Sequence, residues 1–240
     1  MNKQKLLVTM IALMGFIVSD TALAHGNDGD FALAFKGTNP ASTSTAPGSP
    51  LTLQSDNLRL EAMVMAAGPQ LQGGLLVYNG SGCCSGWGIL LQGNEAGPDA
   101  NKLAVLAGGV TVVPAPVSLP VGKWTRVVME RRAGVVTLTV GGNSRRNPAQ
   151  VFDLGVVPAN PLGMAQSATE RFTLGQNFNG LIDDVKVRTL DTKKTVESFG
   201  FNDVTGYTSK GKNGAILDTS GSSWVDVDDD DDDHGHDRDD

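Results

Sequence analysis

Two carboxylates sit in stretches that could hold them rigidly: Glu61, within Leu58-Arg59-Leu60-Glu61-Ala62-Met63-Val64, and Glu130, followed by Arg131 and Arg132. Cleaving a glycosidic bond takes two carboxyl groups on either side of it, one acting as acid and the other as nucleophile or base. Neither Glu has a second carboxylate two residues away, and the spacing Glu-x-Asp-x-x-Glu, which puts such groups on one strand face, does not occur in the chain. Histidine is scarce: His25, His234 and His236 are the only three. A Ser-His-Asp or Cys-His arrangement therefore lacks its ordinary base in the body of the chain. An N-terminal His25, freed by cleavage, could chelate copper through its amine and ring, but such a site takes further nitrogen donors, and His234 and His236 lie in an acidic run. These residues read as non-catalytic.

Three other groups carry chemistry of a different kind. Cys83 and Cys84 are adjacent, the only cysteines, and lie within Gly80-Ser81-Gly82-Cys83-Cys84-Ser85-Gly86. Neighbouring Cα atoms are about 3.8 Å apart, under the usual disulfide range of about 4.4–6.8 Å, so a vicinal bridge is strained and the glycines supply the freedom to accept it. A bridge to another molecule and two free thiols remain open. Tyr78 and Trp87 flank this loop, so Tyr78, Cys83, Cys84 and Trp87 form a candidate ligand-binding rim, since aromatic rings stack on sugar faces; the competing reading is that both rings fill the core. Asp183 and Asp184 stand side by side inside an apolar-alternating segment, where two carboxylates need a reason.

The first residues set the compartment. Lys3 and Lys5 precede an apolar run from Leu6 to Val18, and Ala22-Leu23-Ala24 offers small residues at the two positions a signal peptidase reads. The run spans about 13 residues against the roughly 20 needed to cross a bilayer. Residues 1–24 are expected to be a signal peptide cut before His25, with the product secreted or periplasmic. Residues 25–225 are expected to form one domain and 226–240 an acidic disordered tail. Asp226–Asp240 holds ten Asp and one Arg, a charge of −9, so the remainder carries +2 of the −7 total. A near-neutral body with an anionic tail implies neither nucleic acid nor an acidic membrane surface as partner. The tail lacks the Asp-x-Asp-x-Asp-Gly spacing that shapes a tight calcium loop.

Helical periodicity is nearly absent. Short alternating runs punctuated by Gly, Pro, Asn and Asp are the pattern of sandwiches and barrels. Strands are expected at Phe31–Phe35, Leu58–Met65, Leu75–Tyr78, Gly88–Leu91, Leu103–Leu106, Trp124–Arg131, Val135–Val140, Arg171–Leu174, Leu181–Arg188 and Val196–Phe201. Arg132-Ala133-Gly134 is expected to turn a hairpin. Gly37–Pro50, rich in Ser, Thr, Pro and Gly, is expected to be a surface loop. On Leu58–Met65 one face should be buried, and Arg59 and Glu61 should face water.

Several segments, in chain order, resemble one family. Ala32-Leu33-Ala34-Phe35-Lys36-Gly37-Thr38 is similar to its opening strand, and Gly122-Lys123-Trp124-Thr125-Arg126-Val127-Val128 to its G-x-W-x-x-V strand. Phe178-Asn179-Gly180-Leu181-Ile182-Asp183-Asp184-Val185-Lys186-Val187 resembles its F-x-G-x-I-D-D-V strand. Ser209-Lys210-Gly211-Lys212-Asn213-Gly214-Ala215-Ile216-Leu217, closing on Trp224, resembles a late segment common in such proteins. The family is the laminin-G-like, concanavalin A-like lectin/glucanase group, and the resemblance spans about residues 31–225. It implies an all-β, concanavalin A-like jelly-roll sandwich of two antiparallel sheets, with members that bind glycans, proteins or calcium and some that are hydrolases. By the same resemblance Asp183 would hold a structural Ca2+ together with backbone carbonyls. The expected function is a secreted, non-catalytic binding module for a glycan or an extracellular protein. The rivals are a polysaccharide-cleaving enzyme of the glucanase type and a structural surface or matrix protein.

Overall fold

Alternation governs burial along the long strands. In Leu58–Ala66 the side chains of Leu58, Leu60, Ala62 and Val64 are fully buried, while Arg59, Met63 and Met65 are only partly so. A computed structural model describes residues 31–37, 40–44, 51, 57–81, 85–108, 110–142, 148–157, 171–202, 204–205 and 207–227. The leader 1–24, His25, Cys83, Cys84 and the tail from 228 onward lie outside the described residues.

The described strands, in chain order, are β1 (Phe31–Lys36), β2 (Ala41–Ser44), β3 (Leu58–Ala66), β4 (Gly74–Ser81), β5 (Ser85–Leu91), β6 (Lys102–Ala107), β7 (Thr111–Ser118), β8 (Thr125–Arg132) and β9 (Val135–Val140). They continue with β10 (Gln150–Val156), β11 (Arg171–Leu174), β12 (Asn179–Thr189), β13 (Thr195–Phe199), β14 (Val204–Thr205), β15 (Thr208–Lys210), β16 (Ile216–Asp218) and β17 (Ser223–Asp226). One short 3-10 turn, Asn94–Asp99, is the helical element among the described residues. The first sheet runs β10-β9-β8-β3-β12-β1-β17, with β13 also paired to β12; the second runs β14-β15-β16-β2-β11-β4-β5-β6-β7. Every strand ladder is antiparallel.

The two sheets enclose one apolar core, to which Leu60, Val64, Met129, Leu138, Ile182 and Val187 contribute from the first sheet and Leu76, Ile89, Val105 and Phe172 from the second. An aromatic column crosses it: Phe172 stacks on Phe199 at 5.7 Å, Phe199 on Phe201 at 6.3 Å, and Phe201 meets Trp224 edge-on at 6.0 Å. Aromatic pairs of this kind add about 0.5–1.5 kcal/mol each beyond area burial. The column ties β11, β13 and β17 together.

Each expected strand is present, with ends shifted by a few residues. The hairpin turn is Ala133-Gly134, both with positive φ (49° and 88°), the two-residue geometry that matches strand twist. The structure also holds strands that were not expected, β2 and β7 among them. Ala41–Ser44, inside the stretch read as a loop, is a strand because it pairs with β11 and with β16. Thr111–Ser118 is also a strand despite Pro114 and Pro116; it is the edge of its sheet, where a missing N–H breaks no ladder.

Candidate functional site

The paired aspartates are explained by backbone geometry. The β12–β3 ladder shifts register between Asp183 and Lys186, and Asp184 has φ 49°. Asp183 Oδ1 accepts the Asp184 N–H at 2.6 Å, so the first carboxylate holds the second residue in its left-handed turn. Asp184 Oδ1 lies 3.6 Å from Lys186 Nζ, an exposed and weak pair. Calcium needs six to eight oxygens. Among the described residues no group of three or more His, Cys, Asp or Glu side chains gathers, so any calcium shell at Asp183 would rest on this carboxylate with carbonyls and waters.

Tyr78 and Trp87 are both buried, 3% and 1% exposed. Trp87 belongs to the core between the sheets, and the Arg131 guanidinium sits 4.9 Å from its ring centroid. Tyr78 lies on the other face of its sheet, across Gly88, where an added Cβ would meet the Tyr78 ring. Neither ring offers a free face to a sugar in this structure. Of the alternatives left open by the sequence, the one in which the rings are packed is what the geometry shows. The sequence offered no way to separate a packed ring from an exposed one in a Gly-rich loop.

Glu61 and Glu130 come together on the outward face of the first sheet, a proximity invisible in the sequence because β3 and β8 are neighbours only in space. Glu61 receives Arg59 (Nε 3.1 Å, Nη2 2.9 Å) on Oε2 and Arg126 (Nε 2.7 Å, Nη2 2.6 Å) on Oε1. Arg59 Nη1 also donates to Glu130 at 2.7 Å. Although it faces outward, Glu61 is only 7% exposed. Two guanidinium groups cover the position expected to be wet. Burial alone would raise the Glu61 pKa, but the hydrogen bonds from Arg126 and Arg59 outweigh it and leave the carboxyl below its ordinary value. A glycosidase acid needs the opposite, a carboxyl held protonated near neutral pH. Glu61 is locked between two guanidinium groups and is not poised for proton transfer, while Glu130 shares Arg59 with it.

The residues that shape an open site were not singled out in the sequence. Glu197 on β13 is fully buried and accepts three backbone N–H groups: Ser198 at 2.9 Å, Asn213 at 2.7 Å and Ala215 at 2.9 Å. Asn213 Nδ2 donates back to the carbonyls of Val196 (2.8 Å) and Thr195 (3.2 Å), and Lys212 N donates to Ser198 O at 3.0 Å. Gly211 admits the carboxylate, since a Cβ there would collide with Glu197 Cδ. The Gly211-Lys212-Asn213-Gly214-Ala215 turn is thereby clamped onto β13. Between that turn and β12 lies a shallow depression lined by Lys186, Arg188, Thr195, Ser198, Lys212 and Asn213. Register sets its floor, with Lys186 opposite Ser198 and Arg188 opposite Thr195.

No protein-family model matches the chain, and no curated relative matches it. Among solved structures, it is similar to a provisionally named carbohydrate-binding protein from Bacteroides ovatus, with TM-score 0.56 and 15% identity. The match covers 84% of this chain and 61% of that one, so the chain spans about three-fifths of that protein's length. The fold is a jelly-roll sandwich. Matches of lower TM-score include domain 4 of an extracellular arabinanase from Geobacillus stearothermophilus, solved with arabinotriose (0.46, 18% identity, 65% of this chain and 69% of that one). Another is the heptameric SAP-like pentraxin of Limulus polyphemus (0.46, 14% identity, 85% and 94%). Among the described residues no helix is long and apolar enough to cross a membrane.

Proposed function

We propose that this chain is an exported, non-catalytic glycan-binding module of the laminin-G-like group. The observation that carries the reading is the contrast between two features of the first sheet. Glu61 is held by Arg59 and Arg126 and Glu130 by Arg59, whereas the depression beside β13 stays open and is lined only by side chains that donate or exchange hydrogen bonds. Sugar hydroxyls are met by such groups on a fixed frame, and no proton need move. The jelly-roll likeness to a protein named for carbohydrate binding supports the same class of ligand. Export follows from the n-region, apolar run and Ala22-Leu23-Ala24 of the leader. A glycan array probed with the protein lacking residues 1–24 tests the function: hits among plant, algal or bacterial polysaccharides without release of reducing ends support it. Turnover of any bound polysaccharide would transfer the chain to the hydrolases, and a blank array would favour a matrix role or a protein partner.

A structural calcium at Asp183 forms part of the same proposal, with the carboxylate joined by backbone carbonyls and waters. A chelator should then lower the melting temperature, and Asp183→Asn should abolish the difference. An unchanged melting curve on chelation would leave Asp183 with its bulge alone.

A further inference from the structure

We infer that the depression between β12, β13 and the Gly211–Ala215 turn binds an acidic sugar, through a carboxylate or sulfate group on the saccharide. The inference rests on the glycan-binding reading and names the ligand class of that site. Three of the six lining residues are cations: Lys186, Arg188 and Lys212. Among the described residues no carboxylate pairs with Arg188 or Lys212, and Lys186 has only the 3.6 Å approach of Asp184. Arg188 Nε is buried without a hydrogen-bond acceptor, so the guanidinium has donor capacity that the protein does not use.

The nearby carboxylates do not cancel this charge locally. Glu61 lies opposite Lys186 in register, but Arg59 and Arg126 already hold its oxygens. Glu197 is fully buried and satisfied by three backbone N–H groups. Lys212 is exposed and Lys186 and Arg188 are half-buried, so the three cations line the depression without either glutamate as a partner. Thr195 and Ser198 hydroxyls on the floor suit the ring hydroxyls beside an acidic substituent. A guanidinium favours the planar, two-oxygen geometry of a carboxylate or sulfate, and ammonium groups add charge without that geometry.

The test measures binding by calorimetry to four probes: an oligogalacturonate, a sulfated galactan oligosaccharide, neutral galactan and polyaspartate of matched charge. The oligogalacturonate and the sulfated galactan separate carboxylate from sulfate as the recognised group. At least one acidic saccharide should bind more tightly than neutral galactan and polyaspartate, and raising the salt to screen exposed charges should weaken it. The double variant Lys186→Ala/Lys212→Ala, both at solvent-facing positions, should melt like the parent and lose about tenfold or more in affinity for that saccharide. Neutral and acidic saccharides bound equally, and equally by the double variant, would overturn this inference and leave the glycan-binding reading intact. Polyaspartate bound as tightly as the saccharide would also overturn it, reducing the depression to a patch for any polyanion, including the chain's own Asp run. Failure of every saccharide would remove the glycan-binding reading first, and this inference with it.

Discussion

Glu61 is the carboxylate held between two guanidinium groups on the first sheet. Its four guanidinium contacts stabilise the ionised form, so the group contributes stability that is present above its unfolded pKa and lost as pH falls through the lower folded value. Stability should therefore decline as the solution is acidified below about pH 4.5, the ordinary value for a glutamate. Glu61→Gln should cost about 2 kcal/mol at pH 7, the scale of a hydrogen-bonded charge lost from a covered position. The same substitution should flatten the acid limb of the stability curve. Thermal melts of both proteins from pH 3 to 7 check it, and parallel curves would mean that Glu61 adds nothing through its charge. Asp183 shows a different lesson at this scale: a doublet that resembles a metal ligand motif is already employed in holding a left-handed residue.

At the scale of elements, β13 is the organiser of the candidate site. Strand pairing with β12 covers one edge, and the Gly211–Ala215 turn covers part of the other through the Glu197 carboxylate. Glu197→Ala would leave the Asn213 and Ala215 amides without acceptors and open a void where the carboxylate lay. The expected outcome is a loss of about 3 kcal/mol or more, from unpaired buried donors together with a cavity. Amide exchange should accelerate at Lys212 to Ala215 ahead of the core strands, because the clamp is local. Exchange that accelerates uniformly across both sheets would show that Glu197 supports the sandwich as a whole and not the turn in particular. The β12 motif itself has a packing reason as well: an added Cβ at Gly180 would strike the Met65 carbonyl and the Phe178 ring. That contact explains why the aromatic and the glycine occur together before Ile182.

For the whole molecule, the relation of sequence to structure follows from how local each cause is. Period-two alternation in Leu58–Ala66 and Val135–Val140 needs only the pleat to say which residues face the core, and turn chemistry at Ala133-Gly134 needs only its own dihedral angles; that Glu61 is covered on the outer face was decided by Arg59 and Arg126. Those features were legible, as were the all-β class and the near-neutral body with its charge displaced into Asp226–Asp240. Ala41–Ser44 was not legible, since four small polar residues become a strand only when β11 and β16 supply partners. The burial of Tyr78 and Trp87 was likewise set by the other sheet, by Arg131 and by Gly88. Net charge concealed the cationic depression, because Lys186, Arg188 and Lys212 are averaged with distant carboxylates along the chain and meet only where β12, β13 and the 211–215 turn converge. The sequence by itself thus determined what depends on neighbours along the chain: strand, turn and face. Tertiary structure alone decided which charges pair and which stay open, because Coulomb energy depends on distance in space and on exposure to water, neither of which sequence separation measures.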